Sequence, residues 1–356
     1  MIGMEFIRGY GLGNHLFCYI TARALAKANG YEFGCANRQQ FANNPHSHKG
    51  MYFMDIDLGH DITPEEKASM NEYHEKDERV YTGSSRHDMT HGCYISGPDE
   101  KLYHIPDNTL IYGNMQDESY FLPCRDEIRQ WLHVRPEYDS HEYTKDNLCI
   151  INMRGGEYTN NPQLYLDRTY WTNAIANMKK LRPDMHFMVV TEDEEAARKV
   201  LPEYEIHHFD MGKDYVTLRN ARYLILSNSS FAVLAALTSE TCQYIIAPKY
   251  WARHNVSNGY WSSEQNIYSF MHYQDRKGRL FTAEECRREL AEYKRTHASF
   301  YQRIGKKPGP VRHCGQVIER KAIYARFYAR KIWRSLERRT GLLHTWTPAD
   351  GFARDL

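Results

Sequence analysis

The sequence lacks the features that would place it at once among nucleic-acid-binding, zinc or redox proteins. Its 356 residues carry a formal net charge of +1, so no global field favours nucleic acid as a partner. The eight cysteines are scattered without a Cys-x-x-Cys pair, which argues against zinc ribbons and thioredoxin-type sites. Cys149 and Cys242 lie in apolar runs, which is typical of buried thiols in the reducing cytoplasm.

Long hydrophobic segments are missing as well. The longest uncharged stretch, Tyr223 to Ser239, is interrupted by Ser227–Ser230 and is too short to cross a bilayer comfortably. The amino-terminal residues do not combine a basic segment with an apolar one, so we expect no signal peptide. These observations predict a cytoplasmic protein without a membrane-spanning segment.

Histidines are present but do not converge in a way that predicts a metal site. His46 and His48 lie two apart and His87 and His91 four apart, whereas a metal site needs three or four converging ligands. Glycines among these residues disfavour a regular helix. We therefore interpret residues 37–108 as a solvated, loop-rich insert and keep a metal site as the alternative.

The dinucleotide fingerprint Gly-x-Gly-x-x-Gly is absent, although glycines are concentrated near the amino terminus. Gly9, Gly11 and Gly13 lie between a predicted strand, Met4–Arg8, and a predicted helix, His15–Asn29. Such a turn directs helix-start amides toward a ligand. Taken alone, this pattern does not establish a nucleotide site.

The most informative stretch is a buried strand that ends in an arginine. Leu148–Met153 is a short apolar run, typical of a parallel strand covered on both faces. Arg154, Gly155 and Gly156 follow it, at the strand end where open α/β sheets bind ligands. We interpret Arg154 as a clamp for a phosphate or pyrophosphate. An ordinary ion pair with Glu157 is the alternative.

Strands and helices alternate after this strand, which predicts a parallel sheet covered on both faces. Ser227–Ser230 lies between a predicted strand, Tyr223–Leu226, and a predicted apolar helix, Ser230–Leu237. Its hydroxyls and helix-start amides form either a second anion site or an ordinary helix cap. Both loops follow strands of one sheet, and together they indicate a site for a nucleoside diphosphate.

Six short blocks share their order with those of one known family. They are Gly11–Ala26, Gly113–Phe121, Asn152–Tyr158, Val189–Asp193, Leu226–Phe231 and Ile246–Trp251. The first resembles Gly-Gly-Leu-Gly-Asn-Gln-Leu-Phe-Gln-Tyr, the third His-x-Arg-Arg-Gly-Asp-Tyr and the fifth Asn-Ser-Ser-Phe of the α1,2-fucosyltransferases, glycosyltransferase family 11. The matches span residues 4–251, about two thirds of the chain.

The resemblance implies an α/β fold of GT-B type with two facing Rossmann-like domains. Residues 1–140 would form the acceptor side and residues 141–300 the nucleotide-sugar-binding domain. The implied reaction is inverting transfer of fucose from GDP-fucose to a glycan acceptor, free or lipid-linked, in surface polysaccharide synthesis. The resemblance implies neither a metal nor a further cofactor. A transferase using another nucleotide sugar, or an inactive nucleotide- or sugar-binding module, remains the alternative.

The resemblance also assigns site residues. The predicted donor-binding residues are Gly11, Gly13, Asn14, Asn152, Arg154, Gly155, Thr191, Asn228, Ser229, Ser230 and Phe231. The predicted acceptor-binding residues are Gln116 and Tyr120. Arg154 matches the arginine that would stabilise the leaving diphosphate. Glu157 is the carboxylate nearest to it in the sequence and is the candidate general base, with orientation of Arg154 as the alternative. Asp117, Glu118 and Glu192 are competing candidates for the base.

The sequence departs from the family pattern around these positions. Asn152 replaces the family's histidine, Gly155 its second arginine and Glu157 its aspartate. Ala232 and Val233 replace a pair of tryptophans. These departures leave the donor sugar and the linkage open.

The carboxyl-terminal segment 311–340 has a different composition from the rest. Two glutamates accompany a run of basic residues: Arg320, Lys321, Arg326, Arg330, Lys331, Arg334, Arg338 and Arg339. Its apolar residues gather mostly on one half of a helix, with Ile323 and Phe327 outside that half. A basic amphipathic helix indicates attachment to a membrane surface rather than nucleic acid. A helix packed against the catalytic domains is the alternative.

Overall fold

Two mainly parallel β-sheets flanked by helices form the architecture. The computed structural model describes residues 1–42, 51–76, 97–162, 164–254, 264–296 and 310–340. The strands are β1 Ile2–Glu5, β2 Phe33–Ala36, β3 Met54–Asp55, β4 His60–Ile62, β5 Asn71–His74, β6 Thr109–Tyr112, β7 His133–Val134, β8 Leu148–Asn152, β9 His186–Val190, β10 Glu205–His207, β11 Tyr223–Leu226, β12 Tyr244–Pro248, β13 His272–Gln274 and β14 Leu280–Thr282. The helices are α1 Leu12–Asn29, α2 Gln39–Ala42, α3 Pro64–Ser69, α4 Arg125–Trp131, α5 Arg168–Leu181, α6 Glu194–Val200, α7 Met211–Arg219, α8 Ser230–Leu237, α9 Ala283–Thr296 and α10 Pro310–Thr340.

The strand order of each sheet is that of a doubly wound fold. The first sheet has the order β4-β2-β1-β6-β5, with all its neighbours parallel. The second has the order β10-β9-β8-β11-β12-β13-β14 and is parallel except for the pair β13–β14. The predicted α/β class with two Rossmann-like, GT-B-like units is therefore confirmed. The boundary near residue 140 stays a prediction.

Most predicted elements of the second sheet have the observed bounds to within a few residues. The strand β11 and the helix α8 agree with the prediction at both ends. The helix α7 begins at Met211, because the Asp210 side chain accepts a hydrogen bond from the Lys213 amide and caps the helix there.

The loop-rich interpretation of residues 37–108 is wrong for residues 54–74. There β4 pairs with β2 and β5 pairs with β6, so both strands form edges of the first sheet. Edge strands tolerate polar residues because one side faces solvent, and their composition therefore looked like that of a loop. The histidines at 46, 48, 87 and 91 lie outside the described residues.

Helix α1 packs against α8 and joins the two sheets. Leu16 and Phe17 of α1 share one hydrophobic core with Leu234 and Leu237 of α8. Both helices are apolar on nearly all sides, as expected of helices buried between layers. Their packing brings the amino termini of the two helices together.

Helix α10 confirms that the carboxyl-terminal segment is helical over 31 residues. None of the helices in the described parts of the chain combines the length and the apolar composition that crossing a membrane would require.

Candidate functional site

A cavity of about 420 Å³ lies where the two sheets meet, at the carboxyl ends of β8, β9 and β11. The predicted site residues that line it are Gly11, Gly13, Asn14, Gln116, Asn152, Arg154, Glu157, Thr191, Asn228, Ser229, Ser230 and Phe231. Segments far apart in the sequence meet here because parallel strands end at one edge of a sheet. Gly155 and Tyr120 do not line the cavity.

Arg154 is held in the cavity by two carboxylates. Its Nη1 lies 2.7 Å from Glu192 Oε1 and its Nη2 lies 2.8 Å from Glu157 Oε1. The guanidinium also lies over the Tyr158 ring, 5.2 Å from its centroid. Burial disfavours the charge of Arg154, but Glu192 and Glu157 outweigh it and raise its pKa. The ion pair with Glu157 therefore forms, and it places the arginine on the cavity wall.

Gly155 has a packing role behind this wall. A Cβ at Gly155 would lie 2.5 Å from Asp193 Cβ, so only glycine leaves room for that side chain. The Asp193 carboxylate accepts hydrogen bonds from the Gly156 amide at 2.9 Å and from the Ala196 amide at 2.9 Å. Gly155 thus lets Asp193 fasten the loop to α6, and its predicted contact with the donor stays a prediction.

The amino termini of α1 and α8 converge on the cavity. Their N-cap residues, Gly11 and Ser229, make no side-chain capping hydrogen bond. Gly13 permits the close approach, since a Cβ there would lie 2.3 Å from the Phe231 amide nitrogen. Each helix amino terminus carries partial positive charge and amides directed outward. Together with Arg154, this arrangement favours a ligand with two adjacent anionic groups.

Asn228 presents a buried acceptor that lacks a donor. Its side chain is 2% exposed and its Nδ2 donates to the Leu164 carbonyl at 3.0 Å. Its Oδ1 has no hydrogen-bond partner within the described part of the chain. A buried acceptor without a donor is costly, and Asn228 Oδ1 is such an acceptor on a residue of the cavity wall.

A chain of amide and hydroxyl groups crosses the cavity between the two sheets. Asn14 Oδ1 accepts from Ser230 Oγ at 2.9 Å and from Gln116 Nε2 at 3.2 Å. Gln116 Oε1 in turn accepts from Asn266 Nδ2 at 3.1 Å. Asn266 lies after the last recognised sequence block, so no motif pointed to it.

Tyr120 supports this chain from behind and does not contact the cavity. Its hydroxyl donates to Glu75 Oε1 at 3.1 Å and accepts from the Asp99 amide at 2.6 Å. Glu75 Oε2 accepts from the amides of Asn114 and Met115, both at 2.9 Å. Tyr120 is therefore buried and positions the loop that carries Gln116, and its predicted acceptor contact stays a prediction.

The four candidate general bases differ in whether they line the cavity. Glu157 and Glu192 line the cavity, whereas Asp117 and Glu118 do not. Glu118 is buried and bound to Arg287 at 2.9 Å, and Asp117 accepts from the Ser119 amide at 3.0 Å. Glu157 is 67% exposed on its side chain, so it is accessible from the mouth of the cavity.

The cavity wall also carries a carboxylate that the sequence did not reveal. Asp214 accepts from His208 Nδ1 at 3.0 Å and from the Phe209 amide at 3.2 Å. Burial raises the pKa of Asp214 to about 6. Val190 and Met211 provide apolar surface beside it. No recognised block covers Asp214, His208 or Met211, and an aspartate inside a helix is ordinarily a surface residue.

No cluster of three or more His, Cys, Asp or Glu side chains suited to a metal ion occurs within the ranges that the structure describes. The donors in the cavity are an arginine, amides and hydroxyls, which suit an anion.

Over most of its length the chain matches one protein family. Residues 86–301 match the profile of Glycosyl transferase family 11. No curated protein matches the chain significantly.

Solved structures with a similar fold are more distant. They include NodZ of Bradyrhizobium, an α-1,6-fucosyltransferase soaked with GDP-fucose, at 13% identity and a TM-score of 0.38, covering 69% of this chain and 94% of NodZ. POFUT1 in complex with GDP has 11% identity and a TM-score of 0.36, covering 69% and 97%. A family 9 glycosyl transferase of Veillonella parvula has 11% identity and a TM-score of 0.39, covering 82% and 96%.

Proposed function

The chain belongs to glycosyl transferase family 11, and from this membership and the chemistry of the cavity we propose that it transfers fucose from GDP-fucose to a hydroxyl of a glycan acceptor. The transfer inverts the anomeric carbon, needs no metal and serves the synthesis of a surface polysaccharide. The observation that carries the proposal is the convergence of Arg154 with the amino termini of α1 and α8.

The diphosphate is the group that this convergence fits. As the bond between the anomeric carbon and GDP breaks, negative charge develops on the leaving oxygen. A guanidinium donates charge-assisted hydrogen bonds to it, and the amides at the starts of the two helices add further donors. Arg154 forms both ion pairs through its terminal guanidinium nitrogens, Nη1 and Nη2, so the guanidinium can rotate from Glu157 and Glu192 toward the diphosphate.

The acceptor hydroxyl needs a base as it attacks the anomeric carbon. Glu157 lies at the mouth of the cavity and becomes available when Arg154 binds the diphosphate. Glu192 accepts from the Gly155 amide at 3.2 Å and is thereby held in place beside Arg154. We therefore assign proton removal to Glu157 and positioning of Arg154 to Glu192.

We assign the nucleobase to the part of the cavity that Asp214 lines. Guanine presents an N1–H and an N2 amino group on one edge, and a carboxylate accepts from both. Asp214 is a buried carboxylate there, oriented by His208 and the Phe209 amide. Phe231, Val190 and Met211 line the same cavity and offer apolar surface to the ring.

Replacing Asp214 with asparagine is expected to weaken GDP binding roughly 10- to 100-fold, the effect of losing a charge-assisted pair. Calorimetry with GDP and with inosine diphosphate, which lacks the N2 amino group, measures it. The wild type should prefer GDP, and Asp214→Asn should lose that preference.

The matched control is Asp184→Asn, because Asp184 forms a surface ion pair with Arg182 at 2.9 Å and lies outside the cavity. It should bind GDP as the wild type does. Unchanged GDP affinity in Asp214→Asn, or equal affinity of the wild type for both nucleotides, would contradict the assignment of guanine recognition to Asp214.

A donor other than GDP-fucose is the second candidate, and Asn152 favours it. Asn152 lines the cavity where the family has histidine, and its Oδ1 accepts from Ser227 Oγ at 2.8 Å. The other departures bear less on the donor. Ala232 and Val233 are fully buried in the core, and Gly155 lies against Asp193.

A further inference from the structure

Helix α10 carries apolar side chains on two opposite sides. At 100° per residue, Ile318 and Ile332 lie within about 60° of Val311, whereas Phe327 lies about 160° away. Phe327 faces the protein and packs edge-on against Tyr165, with 6.5 Å between ring centroids. Phe327 is one of the two apolar residues outside the predicted apolar half, and it is the residue that packs against the body of the protein.

The other side forms what we call the apolar seam, consisting of Val311, Ile318 and Ile332. These side chains are 89%, 68% and 62% exposed. Across the described ranges, more of the exposed large hydrophobic residues lie on α10 than on all other elements together. Exposed apolar side chains that recur along one side of a helix of about 46 Å indicate an interaction surface.

Basic residues flank the apolar seam. Lys321 lies about 80° to one side of Val311 and Arg326 about 60° to the other, and both are exposed. The helix sequence contains two glutamates, Glu319 and Glu337, against many more lysines and arginines. Positive flanks attract anionic lipid headgroups, and they would repel the same flanks of a second copy.

The helix is attached to the rim of the cavity. The Tyr328 hydroxyl donates to the Asn160 carbonyl at 3.3 Å. Asn160 ends the turn Gly156–Asn160, which carries Glu157 and Tyr158 of the cavity wall. Tyr165, which contacts Phe327, follows Leu164, another residue of the wall. Helix α10, which carries the apolar seam, is therefore a direct neighbour of the cavity wall.

We propose that α10 binds an anionic membrane surface through the apolar seam while Phe327 and Tyr328 hold the helix against the rim of the cavity. This geometry selects a class of acceptor, namely a glycan carried on a lipid at the membrane. The membrane contact stands on the helix alone, and the choice of acceptor rests on the proposed function.

Vesicle flotation of the full chain tests the membrane contact. The wild type should float with vesicles of phosphatidylglycerol and phosphatidylcholine at low salt, and should not float with phosphatidylcholine alone. The double variant Ile318→Glu, Ile332→Glu should reduce the bound fraction at least tenfold. Reversal of Lys321 and Arg326 to glutamate should reduce the partition constant by more than about 30-fold, since each basic residue near the surface contributes roughly fivefold and the two glutamates add repulsion.

The matched control places glutamate at two exposed apolar residues elsewhere, Leu122 and Leu181. This variant should float like the wild type, and all variants should melt at similar temperatures. Equal flotation of the seam variant and the control, binding to neutral vesicles as strong as to anionic ones, or no flotation of the wild type overturns the proposal. A wild-type dimer that the seam variant converts to a monomer, without flotation, assigns the seam to a second copy and overturns it as well.

Release of GDP from GDP-fucose distinguishes a loss of membrane binding from a failure of the proposed function. The apolar seam does not line the cavity, so the seam variant should release GDP from GDP-fucose at the wild-type rate. Normal release with lost flotation supports the membrane contact. Absence of release in both forms contradicts the proposed function and leaves the flotation result standing. With a lipid-linked acceptor in vesicles, the seam variant should show a KM raised at least tenfold and an unchanged kcat. An unchanged KM overturns the choice of acceptor.

Discussion

Arg154→Lys is expected to turn over GDP-fucose roughly 10²- to 10³-fold more slowly than the wild type, the usual cost of removing one donor to a transition-state anion. Lysine keeps the charge but loses the planar fork. Arg154 uses that fork on Glu157 and Glu192 at once, through two different nitrogens. A single ammonium cannot replace both contacts while also binding a diphosphate. Steady-state release of GDP measures the effect, and thermal melting confirms the fold.

The matched control is Arg168→Lys. Arg168 also contacts a carboxylate with two nitrogens, at 2.7 Å and 3.2 Å from Glu203, but it lies outside the cavity. Exposed ion pairs contribute at most about 1 kcal/mol to the free energy of unfolding. Because Arg168 also lies outside the cavity, this variant should fold normally and keep full activity. Near wild-type turnover by a well-folded Arg154→Lys protein would mean that Arg154 only secures its loop.

Gly13→Ala is expected to lower the free energy of unfolding by about 3 kcal/mol and to weaken GDP binding at least tenfold. The added methyl would lie 2.3 Å from the Phe231 amide nitrogen and 2.6 Å from the Ser230 carbonyl carbon. These are backbone atoms and cannot rotate away, so α1 and α8 must separate. Separation breaks the hydrogen bond between Asn14 and Ser230 and displaces the amino termini of both helices from the cavity.

Gly315→Ala is the control for this substitution. Gly315 lies in α10, and a Cβ there meets no atom within 4 Å. Alanine is the better helix former, so this variant should melt at the wild-type temperature or slightly above it. Denaturant unfolding and calorimetry with GDP give both quantities. If Gly13→Ala unfolds like the wild type and binds GDP normally, the two helices do not form a shared anion site.

The second sheet could be predicted well from the sequence because its signals are local. A buried strand such as Leu148–Asn152 is a continuous apolar run, and its neighbours end in loops with recognisable polar residues. The strand pattern alone therefore places Arg154 and Ser229 on the same edge of the sheet. The start of α1 was less clear, because Gly13 looks like a loop residue until its contact with Phe231 is seen.

The residues that were missed depend on contacts distant in the sequence. Asp214 becomes a cavity residue only because α7 begins at Met211 and turns it toward His208. Tyr120 lies in a recognised block, yet its hydroxyl is used by Glu75, a residue 45 positions away. No periodicity or motif reports such pairings, since they arise from how the two sheets pack.

The most direct measurement of the central claim is nucleotide release by the purified full chain from a panel of nucleotide sugars in the presence of EDTA. We expect that GDP-fucose is turned over fastest, that the chelator has no effect, and that Arg154→Lys abolishes most of the release. Preferred release from a UDP- or CMP-sugar, or a strict requirement for magnesium or manganese, would contradict the claim.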